Sequence, residues 1–70
     1  MNADKADIID YFLDGEEDKA KQMMRDLINE DMGFESMAQV TGLPSKSIHR
    51  MLSLNGNPTT RNLFLILRNI

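Results

Sequence analysis

The chain has 70 residues, 41% of them hydrophobic, with 8 Lys and Arg against 11 Asp and Glu for a formal net charge of -3, and it lacks Cys and Trp. At this length only roughly 60% of the unfolded chain's surface can be buried, which suits one small domain of local contacts and excludes a two-domain enzyme. Without Cys there is neither a disulfide framework nor a thiolate cage, and the single His cannot supply a structural zinc site, so apolar packing must hold the core.

The longest apolar run, Leu63 to Leu67, falls far short of the roughly 18 residues a membrane helix needs. Near the N-terminus stand Asp4 and Asp7, where a signal segment would be basic and then apolar. A cytoplasmic, soluble protein without membrane contact is expected. Charge is divided along the chain. Residues 1–33 carry Lys5, Lys19, Lys21 and Arg25 against ten acids, a balance of -6, whereas residues 34–70 carry Lys46, Arg50, Arg61 and Arg68 against Glu35 alone, a balance of +3. The second half can face a polyanion; the first would be repelled by one and drawn to a basic protein. Two ordinary solvated helix faces would give the same arithmetic.

Five periodic segments follow one another, separated by Gly, Pro and Asn. The first, about Asp4 to Leu13, places Ile8, Ile9, Phe12 and Leu13 on one side at helical spacing and stops at Gly15. The second, Glu16 to Met32, has Ala20, Met23, Met24, Leu27 and Ile28 at i, i+3, i+4, i+7 and i+8. Glu16, Glu17 and Asp18 oppose the positive end of its dipole, and Gly33 ends it. The six Met residues lie mostly in such stripes and read as gap-filling core, not as a metal or cofactor site. The third segment, roughly Glu35 to Thr41, brings Met37, Ala38 and Val40 and stops at Gly42. The fourth follows Leu43-Pro44 and runs to about Ser53 with Ile48, Met51 and Leu52 inward. Asn55-Gly56-Asn57-Pro58 is a strong break, after which Thr59 or Thr60 can cap a fifth helix to Ile70. No segment alternates with period two. The expected fold is all-α: one domain spanning 1–70 as a compact bundle of about five short helices, with acidic helices in 1–33, a helix-turn-helix at about 34–53 and a C-terminal helix at about 59–70.

Two short helices joined by a three- to four-residue turn containing Gly form the layout of a DNA-binding helix-turn-helix, and also of a plain helical hairpin. Ala38, four residues before Gly42, lets the helices approach, and Gly42 can take the left-handed backbone of the turn. Met37, Leu43, Ile48 and Met51 supply contacts that fix the angle between them. Opposite the apolar arc of the fourth segment lie Lys46, His49, Arg50 and Ser53 at i, i+3, i+4 and i+7, a face with no acid and no large apolar residue. Arg50 can fork onto guanine O6 and N7; Lys46 can reach a base edge or a phosphate, and His49 and Ser53 either. Ser45 and Ser47 lie at the helix N-terminus, where backbone N–H groups favour a phosphate. A solvated surface histidine is the plainer reading of His49.

The stretch from Phe34 to Ser53, Phe-Glu-Ser-Met-Ala-Gln-Val-Thr-Gly-Leu-Pro-Ser-Lys-Ser-Ile-His-Arg-Met-Leu-Ser, followed by Gly56-Asn57-Pro58-Thr59, resembles the lambda-repressor-like (Xre-type) helix-turn-helix. More narrowly, it resembles the probable addiction-module antidote proteins, antitoxin partners of small RelE-like ribonuclease toxins. The Ile-x-x-Tyr-Phe-Leu helix, the acidic Asp-Gly-Glu-Glu-Asp turn and the long helix after it are similar to that family's approach to its helix-turn-helix. Pro44 with Ser45 stands where the family usually opens its recognition helix on Ser or Thr, and Phe34 stands where many lambda-repressor-like proteins place a phosphate-contacting Gln. The resemblance implies a DNA-binding set of Ser45, Lys46, Ser47, His49, Arg50, Ser53, Asn57, Thr59 and Arg61, and an antitoxin that represses its own promoter.

In the fifth segment Leu63, Ile66, Leu67 and Ile70 form one inward stripe, whereas Leu65 falls opposite and Phe64 to the side. Phe64 and Leu65 are surplus to one core and are candidates for a dimer interface, with incidental exposure or contact with the first helix as the alternative. A two-fold homodimer would set two recognition helices about 34 Å apart on a palindromic double-stranded operator. Three functions stay open: a transcriptional repressor, an antitoxin whose acidic helices neutralise a basic toxin, and a helical protein-interaction module without a DNA role. No catalytic constellation, Gly-rich phosphate loop or metal-ligand spacing is present, so neither an enzyme nor a cofactor is expected.

Overall fold

The computed structural model describes residues 5–70, which form five helices: α1 (Lys5–Leu13), α2 (Glu17–Glu30), α3 (Gly33–Thr41), α4 (Ser45–Met51) and α5 (Thr60–Asn69). No strand occurs among the described residues. None of the helices is long and apolar enough to cross a membrane. Asp4, at the predicted start of the first helix, lies outside the described residues, as does Met1.

Helix ends follow local chemistry. The corner between α1 and α2 is closed by Glu16 N donating to the Tyr11 carbonyl at 2.8 Å. Exposed Lys19 reaches Glu16 at 3.4 Å and lies 5.8 Å from the centre of the Tyr11 ring. Helix α2 is shorter than its sequence signal: it ends at Glu30, Asp31 N closes its last turn onto Leu27 O at 3.0 Å, and the left-handed Gly33 begins α3 two residues before the expected start. Thr59 caps α5, its Oγ1 accepting from Asn62 N at 3.2 Å, so of the two threonines offered by the sequence the first is the cap.

The core draws on every helix: Ile8 from α1, Ala20, Met24 and Ile28 from α2, Phe34 and Met37 from α3, Ile48 from α4 with Leu52 just beyond it, and Ile66 and Leu67 from α5. Met23, Met32 and Met51 pack around this centre, so the described methionines are core or its border. Helix α1 departs from expectation. Ile8 is buried with Tyr11 and Phe12 packed beside it, whereas Ile9 is 45% and Leu13 80% exposed. Tyr11, Phe12, Ile8, Ile9 and Leu13 cover about 200° of the helix at 100° per residue, more than one core can accept, and the packed arc is the one that includes Tyr11.

Candidate nucleic-acid interface

Helices α3 and α4 are joined by Gly42, Leu43 and Pro44. Gly42 holds φ 76° and ψ 6°, the left-handed conformation open to a residue without Cβ, and its N–H returns to Ala38 O at 2.9 Å. Thr41 ties the same turn twice: its hydroxyl donates to Met37 O at 2.7 Å and accepts from Leu43 N at 3.2 Å. Pro44 is extended at φ -61° and ψ 141° and stands at the N-cap, its carbonyl accepting from Ile48 N at 3.1 Å. Helix α4 therefore opens at Ser45, directly after the proline.

The inward side of α4 is Ile48, fully buried, with Met51 packed against the core and Leu52 completing the contact. Its outward side presents Lys46, His49 and Arg50, all exposed. Ser45 and Ser47 at the first turn are half-buried. The helix closes at Met51, two residues earlier than its pattern suggested, so Ser53 lies beyond it. The Ser53 hydroxyl turns back to donate to Arg50 O at 2.7 Å. Asn57, Thr59 and Arg61 are exposed on the loop and on the start of α5.

His49 is held against the body of the domain. Its ring stacks on Phe34 with centroids 3.8 Å apart and planes 18° from parallel. Phe34, buried at the start of α3, is thus the floor under one outward residue of α4.

The far end of α4 is secured from α2. The Arg25 guanidinium donates through Nη1 to Leu52 O, and Lys21 Nζ donates to Gly56 O at 2.5 Å and to Ser53 O at 3.4 Å. Lys21 is only 6% exposed, and its partners are carbonyls at and beyond a helix C-terminus, where the helix dipole favours a cation. Gly56 closes the same knot: its N–H donates to Ser53 O at 3.0 Å, and a Cβ there would collide with the backbone carbonyl of Arg50. In the sequence, Lys21 and Arg25 count only among the charges of the acidic half. Their one signal was position, four residues apart on the border of the apolar arc of α2. Both serve the other half of the molecule.

The structure therefore gathers Lys46, His49 and Arg50 on one face, sets Asn57, Thr59 and Arg61 on a separate segment, and commits the Ser53 hydroxyl to the backbone. No group of three or more His, Asp or Glu among the described residues could hold a metal ion. Neither a family model, nor a curated protein, nor a solved structure matches the chain.

Proposed function

We propose that the protein is a sequence-specific double-stranded DNA-binding regulator, a repressor that acts as a homodimer on a palindromic operator through α4. The observation that carries this reading is the exposed, acid-free face of Lys46, His49 and Arg50 on a helix fixed at both ends and stacked on its neighbour between them. Rigid presentation matters because direct readout depends on placing a forked donor against a base edge within hydrogen-bond geometry. Arg50 is the base-reading candidate and Lys46 the phosphate candidate. Asn57, Thr59 and Arg61 extend the contact along the backbone, a role that rests on the lambda-repressor-like resemblance.

Arg50→Ala should weaken operator binding by about 1–3 kcal/mol and relax preference at one base position. Lys46→Ala should instead weaken binding to all duplexes and lower the salt slope by about one unit. Gel-shift titration on the DNA upstream of the protein's own gene, at two salt concentrations, separates the two effects. Unchanged operator affinity in Arg50→Ala would refute the reading.

A second role is favoured by the solvent-facing side of α2, where Asp18, Asp26 and Glu30 are all exposed. Such a surface suits a basic protein, and under the antidote resemblance that partner is a RelE-like ribonuclease toxin, with promoter repression as the regulatory half of the same protein. Co-expression with the neighbouring small open reading frame tests it: growth rescue with co-purification is expected, and the absence of both would remove this role while leaving DNA binding intact. An interaction module without DNA binding would instead show no duplex affinity at any salt concentration.

A further inference from the structure

Helices α1 and α5 leave an open apolar cleft of about 660 Å³ between them, with Ile9, Phe64, Leu65 and Leu67 in its walls and Lys5, Arg61 and Arg68 around it. Phe64 is 59% exposed. On α5 the spacing is regular: Arg61, Phe64, Leu65 and Arg68 stand at i, i+3, i+4 and i+7, so a cation closes each end of an apolar pair. On α1, Lys5, Ile9 and Leu13 succeed one another at every fourth residue and continue the apolar surface away from the cleft. Lys5 Nζ donates to Arg68 O at 3.3 Å, which binds the start of α1 to the end of α5. The opposite end of α1 is acidic, because Asp10 and Asp14 flank the exposed Leu13.

Around an apolar centre, this surface sets Lys5 and Arg68 together at the start of α1 and Asp10 and Asp14 towards its far end. A patch of that kind is its own complement under a two-fold rotation, the condition an isologous interface must meet. Packing α5 directly on α5 of a second copy would do the reverse and bring arginines against arginines, with no acid among the cleft's lining residues to relieve them.

We infer that the cleft receives a second copy of this chain, with the Leu13 turn of α1 from each copy seated on Phe64 and Leu65 of the other. In that arrangement Asp10 and Asp14 of one copy face Lys5 and Arg68 of its mate. The inference deepens the homodimer in the reading above and replaces a helix α5 pairing with a crossed α1-on-α5 pairing. It needs no DNA.

Sedimentation equilibrium of the full chain without DNA tests it. The wild type should dimerise in a concentration-dependent way and more weakly as salt rises. Leu13→Ser changes a side chain that is 80% exposed in the monomer, so the fold should survive while dimerisation weakens by about tenfold or more. Arg68→Glu and Asp14→Arg should each weaken it by about fivefold or more, and combining them should recover most of the loss, because the double reversal restores opposite charges across the interface. Circular dichroism checks that each variant remains helical. A wild type that stays monomeric at every concentration would overturn the inference. So would a dimer indifferent to Leu13→Ser but broken by Phe64→Ser, or one in which the double reversal recovers nothing. Arg50→Ala should leave dimerisation unchanged, so unaltered operator affinity in that variant with an intact dimer counts against the DNA reading alone.

Discussion

The two ends of α4 are held in different ways. At its start everything is local: Gly42 turns the chain, Thr41 bridges the turn, Pro44 sets the entry angle, and no hydrogen bond there spans more than four residues. At its end the decisive donors come from α2, with Lys21 reaching 32 and 35 residues along the chain and Arg25 reaching 27. The start is thus fixed as soon as the turn forms, whereas the end is fixed only when α2 has packed against it. A helix that must be presented at a set angle gains from this division. The local end determines where it begins, and the distant end determines which way it points.

The largest break in this comparison should come from Lys21. Lys21→Ala removes a buried donor from two carbonyls and should cost about 1.5–3 kcal/mol in urea unfolding, since hydrogen bonds made by charged groups lie in that range. It should also weaken operator binding beyond what the folded fraction explains. Lys21→Met keeps most of the aliphatic stem and isolates the ammonium. A loss below about 0.5 kcal/mol in both variants would show that the loop closes without the Lys21 ammonium. Gly42→Ala should cost less, about 1–2 kcal/mol, because a Cβ there meets no atom within 4 Å and only the left-handed backbone resists it. Gly42→Asn should recover much of that loss; if it costs as much as alanine, packing and not backbone conformation governs the turn. The smallest effect belongs to Thr59→Ala, about 1 kcal/mol from loss of the cap on α5. Amide exchange should show it as fraying of the first turn of α5 around Arg61, with α4 unaffected.

Sequence legibility follows the same line. The five helices, their Gly and Thr boundaries, the three-residue turn and the inward set of Ile48, Met51 and Leu52 could be read because each depends on residues within a turn or two of one another. The orientation of α1 could not. Five apolar or aromatic residues spread around more than half of that helix, and the choice of Ile8, Tyr11 and Phe12 over Ile9 and Leu13 was made by packing against α2 and the rest of the core. Lys21 and Arg25 were hidden for a related reason: a charge on a helix reads as a solvated one unless its partner is known, and here the partners are backbone carbonyls that carry no side-chain signature. The outward face of Lys46, His49 and Arg50 was legible, but its support by Phe34 was not, because the stack joins residues 15 positions apart on two helices.

That stack also gives the protein an internal reporter. The chain contains one histidine, so the two carbon-bound imidazole protons of His49 each give a single, unambiguous signal in a proton NMR spectrum. With Phe34 lying 3.8 Å away and nearly parallel, those signals are shielded by its ring current and record the angle between α3 and α4 directly. At fixed pH, a downfield move towards the position of a free imidazole reports that the two helices have parted.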